Sequence, residues 1–289
     1  MSYLFHIFVV FEIYLILALS MNLLAGHSGL LSLAQAAFCG IGAYCAAILM
    51  IQLQLPFLAV LLLSILVAGV ASLPMIWFSV RLRDLYFILA TLAYQIIIFS
   101  VLFNWVSVTN GPLGIVGIPK PEILGIRFGS TGEFLLLSTL ITASVVTFFF
   151  VLNKTPLSRL FEAVRDNELA LVSFGKNPSY YKSSAILIAC GVSGIAGVLF
   201  ATYYSYIDPM SFDIHESILI LSIVLIGGLG TVKGSVAGAL FYVLLPELLR
   251  FLNMPDAVAA NMRMMIFSLV LILVVMYKPY GLFGKFKFE

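Results

Sequence analysis

Residues 216–250 read ESILILSIVLIGGLGTVKGSVAGALFYVLLPELLR. Whether this stretch is one tilted span or two short helices decides how often the chain crosses a membrane. It also decides the side on which everything after it lies. The run is apolar at both ends and interrupted by GGLGTVKGS (227–235). Glycines supply the unusual dihedrals of a tight turn, and a turn at membrane depth is tolerated only where protein buries it or it lines a cavity. Two shorter helices, 216–229 and 234–250, follow from that. GGLGTVKGS also invites a phosphate-loop reading, but such a loop needs GK[ST] opening a helix, and Lys233 precedes Gly234 without that spacing. FGKN at 174–177 fails as well, because Asn177 has no hydroxyl for magnesium. No ATPase site and no catalytic residue is therefore expected in this chain.

Outward from that stretch the composition is as oily: 62% of the 289 residues are hydrophobic and 10% charged, with a mean hydropathy of +1.14. That is far from the globular range and indicates an integral membrane protein. Apolar runs at 3–24, 30–52, 56–80, 85–105, 132–152, 184–206 and 261–277 are about long enough to cross a ~30 Å hydrocarbon core. They do not alternate apolar with polar, so they are helices rather than barrel strands. The expectation is an all-α polytopic bundle of about nine helices (eight to ten), a single transmembrane domain over 1–289. No Lys or Arg precedes Arg81, so the first run lacks a signal peptide's basic region and reads as a retained span. Cys39, Cys45 and Cys190 sit in apolar runs without ligand spacing and read as core filler.

Charge bias tests the helix count. With the 153–183 segment in the cytoplasm, 11 of the 15 basic residues, Arg81, Arg83, Lys278, Lys285 and Lys287 among them, fall inside. Lys120, Arg127, Arg250 and Arg263 fall outside. The positive-inside rule thus favours nine helices, amino terminus outside and carboxyl terminus inside, with an external loop at 106–131. Small residues recur at helical spacing at Ser32, Ala36 and Gly40, at Ser193, Gly197 and Ala201, and at Gly234 and Gly238. In lipid, such stripes let helix backbones approach closely.

KTPLSRLFEAVRDNELALVSFGKN (154–177) carries seven of the 28 charged residues. Thr155 and Pro156 read as a helix start and Gly175 as a stop. Leu157, Leu160, Phe161, Val164 and Leu171 fall on one face, with Arg159, Glu162, Asp166 and Glu168 largely off it. Interfacial anchors are rich in Lys and Arg, whereas this helix mixes signs and sets Glu162 against Asp166 at i, i+4, a repulsion that a docking partner would relieve. A cytoplasmic helix that receives a soluble protein is the sharper reading; a solvated helix on the headgroups is the plainer one.

Here the chain resembles permease subunits of the branched-chain amino acid (Liv-type) ABC importers. FEAVRDNELALVSFGKN is similar to their coupling-helix loop. MNLLAGHSGLLSLAQAAFCGIGAY (21–44), RLRDLYFILATLAYQ (81–95), TNGPLGIVGIP (109–119), YYSYIDPMSFDIHESILILSIVLIGGLGTVKGSVAGA (203–239), LPELLR (245–250) and KPYGLFG (278–284) agree with it. The RLR…YF…TL and TxGPxGxxGIP pair resembles the LivM-type rather than the LivH-type subunit, and Asp84 departs from a position commonly Gly. The resemblance implies a bacterial or archaeal cytoplasmic-membrane permease that moves leucine, isoleucine and valine inward. It also implies a homologous LivH-type permease, two ATPase subunits holding ATP and Mg, and an extracytoplasmic solute-binding protein as partners. Arg159, Glu162, Ala163, Arg165, Asp166, Glu168 and Gly175 would contact the ATPase. Urea permeases share most of these motifs, so that cargo, or another small solute, is the alternative.

A different class stays open through Glu12, midway along the first apolar run. An intramembrane carboxylate suggests function, here as the ion-coupling group of an autonomous secondary transporter; snorkelling, or a hydrogen bond within the bundle, is the structural alternative. Asn22, Gln35 and Gln95 could face a translocation pathway or bind helices together. Asp208, Asp213, His215 and Glu216 carry no metal-ligand repeat and read as a solvated external loop, while His6 and His27 stand alone.

Overall fold

The computed structural model describes residues 2–82, 84–123, 125–250, 256–278 and 280–285. Arg83 and Lys287 lie outside them. The chain is almost wholly helical, and all nine expected helices form. They are α1 (Ser2–Asn22), α2 (Gln35–Ile51), α3 (Phe57–Ala71) continued by α4 (Leu73–Arg81), α5 (Asp84–Asn104), α7 (Thr131–Leu152), α10 (Pro178–Tyr204), α11 (Ile214–Gly227), α12 (Val232–Arg250) and α13 (Asp256–Tyr277). A single turn, α6 (Val106–Thr109), follows α5. Among the described residues, six helical segments are long and apolar enough to cross a membrane. The α3–α4 break falls at Ser72, just before Pro74, which has no N–H for the helical ladder. There the Tyr94 hydroxyl donates to the Ala71 carbonyl.

Five boundaries differ from the sequence expectation. α1 runs on as a π-helical turn, Leu23–His27, and residues 28–34 are not helical, so α2 starts at Gln35 and Ser32 falls outside its stripe. α10 begins at Pro178 rather than near 184, because the Asn177 side chain accepts from the Ser179 N–H and proline suits the first turn. α13 begins at Asp256. The single helix expected over 155–175 is two, α8 (Pro156–Asp166) and α9 (Glu168–Ser173). They part at extended Asn167, whose side chain accepts from Ala170 N–H at 3.0 Å.

α10 is the hub, with α1, α2 and α3 around it. Its small stripe does what the spacing predicts. A Cβ on Gly197 would lie 2.0 Å from the Cys39 carbonyl oxygen, and one on Gly42 would lie 2.3 Å from that of Gly194. Only hydrogen fits there, so α2 and α10 pack backbone to backbone. Gly238 does the same for the α11–α12 pair, where a Cβ would sit 2.1 Å from the Ile223 oxygen.

The bundle has two distinct ends. At one, the turn between α11 and α12 meets the end of α1: Asn22 accepts from Gly230 N–H at 2.7 Å and donates to the Thr231 carbonyl and the Ser235 hydroxyl at 2.8 Å. Residues 282–285 lie on the same turn, with Leu282, Phe283 and Lys285 N–H groups donating to the Ile226, Gly227 and Leu229 carbonyls. At the other end, Tyr3 donates to Glu247. There β1 (Ile115–Val116) pairs antiparallel with β4 (Tyr206–Ile207), beside a hairpin of β2 (Glu122–Ile123) and β3 (Ile126–Arg127). Lys120 of that loop donates to the Thr202 and Tyr203 carbonyls, and burial pushes its ammonium below the ordinary lysine range.

Candidate functional site: a two-helix elbow seated on a re-entrant segment

α8 buries Ser158, Phe161 and Val164, and α9 buries Leu171. This is the stripe the sequence predicts, with Leu157 and Leu160 only partly covered. Thr155 does not cap the helix as expected; its hydroxyl donates to the Leu152 carbonyl at 2.7 Å, leaving Pro156 to open the first turn. Gly175 does end α9. It takes φ +71°, and Gly175 and Lys176 N–H groups donate to the Val172 and Leu171 carbonyls, a Schellman-type stop.

The seat of the elbow is the π-helical turn and the loop beyond it. Arg165 Nη1 donates to the Gly26 carbonyl at 2.6 Å, while Nε and Nη2 donate to Asp166 Oδ1 at 2.9 and 2.7 Å. Gly29, at φ +68°, lies beneath that side chain; a Cβ there would meet Arg165 Cγ at 2.6 Å. His27 is buried, with Nδ1 3.4 Å from both Glu162 Oε1 and Ser158 Oγ. Lys182 of α10 is ion-paired with Glu168, closing the elbow from its other side. Residues 28–31, Leu82, Leu85, Phe87 and Ile88, and the α8–α9 corner together line a half-open cavity of about 680 Å³.

The seven expected ATPase-contacting residues therefore divide. Arg159, Asp166 and Gly175 are exposed, and Ala163 is partly buried. Glu162, Arg165 and Glu168 are engaged with His27, Gly26 and Lys182 of the same chain, so they connect the elbow to the bundle. The sequence reading missed the apolar side chains that α9 and its cap leave bare: Leu169, Val172 and Phe174 are 76%, 55% and 81% exposed. The spacing of Leu169, Val172 and the following phenylalanine was a usable signal, masked because the whole segment was read as one helix with one face.

Asn22, Gln35 and Gln95 are all buried where helices meet. Asn22 holds the α11–α12 turn as described. Gln95 Oε1 accepts from Ala37 N–H at 2.8 Å and the Ser217 hydroxyl at 3.2 Å, and its amide donates to the Phe212 carbonyl at 2.8 Å. Gln35 donates to Ser20 at 2.7 Å, and its Oε1 has no hydrogen-bond partner among the described residues. Glu12 is buried and accepts from Ser138 and from Thr139, the latter at 2.6 Å, which joins α1 to α7. The acidic group before α11 is not simply a solvated loop. Asp208 accepts from Ser211 N–H, Asp213 caps α11 through Glu216 N–H, and Glu216 accepts from Tyr14 at 2.6 Å.

The fold is a polytopic helix bundle with a two-helix elbow clamped to the end of its first helix, the architecture of a membrane-embedded subunit. The family model for the branched-chain amino acid transport system permease component matches residues 3–275. The chain belongs to that family, and it is a permease subunit of an ABC importer. It is 33% identical to the high-affinity branched-chain amino acid transport system permease protein LivM of Escherichia coli (strain K12) over 93% of this chain and 67% of that one. It is 28% identical to the probable LivM of Methanocaldococcus jannaschii over 78% of this chain and 67% of that one. The autoinducer 2 import system permease protein LsrC of Salmonella paratyphi B is 29% identical over 50% of this chain and 41% of its own length. No solved structure matches.

Proposed function

We propose that this permease carries branched-chain amino acids inward across the cytoplasmic membrane, pulled by ATPase subunits that dock on the α8–α9 elbow. The observation that carries the coupling role is the elbow's seat. Arg165 reaches from α8 to the Gly26 carbonyl, so a push on α8 is delivered to the non-helical segment 28–34 inside the bundle. The 680 Å³ cavity beside it gives that segment room to move. Exposed Leu169, Val172 and Phe174 beside Arg159 and Asp166 supply the apolar centre and charged rim of a protein contact. ATP and magnesium belong to the partner subunits in this reading, and a LivH-type permease and an extracytoplasmic binding protein complete the complex. In this reading the elbow end faces the cytoplasm, an orientation supported by the basic residues Lys154, Arg159, Arg165, Lys176 and Lys182 in and beside the elbow.

The cargo is supported by the two LivM relatives; the LsrC relative, named for another solute, covers only half of this chain. Glu12 works as a clamp between α1 and α7, since both its oxygens are engaged by α7 hydroxyls. The decisive experiment is ATP-driven uptake of labelled L-leucine by proteoliposomes holding this chain with its partner permease, ATPases and binding protein. Absence of leucine uptake in a complex that hydrolyses ATP would overturn the cargo assignment. Uptake without ATPase subunits would overturn the class.

A further inference from the structure

The end of α1 is gripped on two sides. On one, Arg165 of the elbow donates to the Gly26 carbonyl at 2.6 Å. On the other, Asn22, one helical turn earlier, accepts from Gly230 N–H at 2.7 Å and donates to the Thr231 carbonyl and the Ser235 hydroxyl. Gly26 itself touches the same α11–α12 turn: a Cβ there would lie 2.4 Å from the Gly230 nitrogen. One residue thus carries the elbow's guanidinium on its carbonyl and the turn against its Cα.

The register of the helix leaves that carbonyl for Arg165. In an α-helix the Gly26 carbonyl would accept from the Leu30 N–H. Here the last turn is π-helical, with Ser28 N–H donating to the Leu23 carbonyl and Leu30 N–H to that of Leu24 at 2.9 Å. Gly26 therefore takes its donor from outside the helix. A π-helical turn differs from an α-helical one by one residue of register, and such turns are frequent at functional sites. Coupling between distant parts needs an element with two discrete arrangements that both ends can bias, and this turn provides them. We propose that the π-helical turn is the relay between the elbow and the rest of the permease: Arg165 shifts Gly26, and Asn22, as the positioning residue, carries the shift to the α11–α12 turn. α11 starts soon after β4, the strand that pairs with β1 in the loop at the far end of the bundle. A stroke at the elbow thereby reaches that loop through the length of α11.

This rests on the elbow as the place where the ATPases act, and the test separates the two. Lys233, exposed just beyond the turn, is replaced by cysteine on a background lacking the native three. Its maleimide labelling is followed in the complete transporter, nucleotide-free and trapped with ATP and vanadate, beside leucine uptake and ATP hydrolysis. The labelling rate at Lys233→Cys is expected to differ about fivefold or more between the two states, the lower end of ordinary coupling strengths. Asn22→Ala should abolish that difference and cut uptake about fivefold or more, with hydrolysis kept within about twofold of wild type. Arg165→Ala should do the same from the elbow's side. Ser235→Ala removes one contact of Asn22 and leaves the Gly230 N–H satisfied, so it should narrow the difference in a complex that assembles. Equal labelling of the two states overturns the relay, and so does a difference that survives in Asn22→Ala, which marks cover by the ATPase instead. Parallel loss of uptake and hydrolysis in Asn22→Ala marks a structural role and overturns it as well. If the Asn22→Ala complex does not assemble, Ser235→Ala decides, and a difference unchanged from wild type there overturns the relay. Should Arg165→Ala leave uptake coupled to hydrolysis, the elbow reading falls too; should Arg165→Ala uncouple and Asn22→Ala not, the relay alone falls.

Discussion

Arg165 and Gly29 act as a pair, one side chain and one missing side chain. The guanidinium lies across Gly29 to reach Gly26, and Gly29 adopts a left-handed backbone that costs an alanine roughly 1–2 kcal/mol before any clash is counted. Gly29→Ala therefore displaces Arg165 from α1. Uptake should drop at least tenfold while ATP hydrolysis by the complex persists, a split that uptake and phosphate-release assays on the same liposomes would reveal; coupled activity near wild type would refute the clamp. Arg165→Ala should give the same split, since the donor to Gly26 is lost while Leu171 and Phe161 still bury the elbow. Arg165 was legible in the sequence as a charged residue of a coupling segment. Its direction was not, because an amphipathic pattern says which face is wet but not which long side chain turns back toward the protein.

The elements divide by how closely they must approach. Where α2 crosses α10, glycine is required on both sides: Gly42 faces the Gly194 backbone and Gly197 faces Cys39. Gly197→Val should push the two helices apart and destabilise the protein by about 2–3 kcal/mol or more, at the upper range of overpacking costs. Thermal unfolding in detergent checks it, and a melting point unchanged from wild type would contradict the backbone contact. The elbow makes the opposite prediction. Leu169→Ser, Val172→Ser and Phe174→Ser together remove apolar surface that is mostly exposed, so the melting point should hold while co-purification with the ATPase falls. Helix periodicity marks seven long spans, because each of those runs is apolar and uninterrupted, and the glycines at 227–235 divide the remaining run into two shorter helices. It missed the α8–α9 break because Asn167 reads as an ordinary polar position in a helix, and only its side-chain bond to Ala170 shows it as a cap. Likewise Glu216 looked like part of a wet loop, because a sequence does not show that residues 208–213 turn back among α1, α2 and α10.

At the scale of the molecule the basic residues of the elbow, Lys154, Arg159, Arg165 and Lys176, lie at one end, and the 105–130 loop, which carries Lys120 and Arg127 and two small strand pairs, caps the other. Single cysteines placed on a background lacking the native three should separate the ends: Ser173→Cys, on exposed α9, should react with an impermeant maleimide only in inside-out vesicles, and Val116→Cys, 72% exposed, only in intact spheroplasts. The reverse pattern would invert the orientation. The contacts that hold residues 282–285 make the α11–α12 turn a three-way junction. Leu282, Phe283 and Lys285 N–H groups occupy the Ile226, Gly227 and Leu229 carbonyls on one side, while Asn22 holds Gly230 and Thr231 on the other, so the turn cannot shift without carrying the end of α1 and the segment after α13 with it.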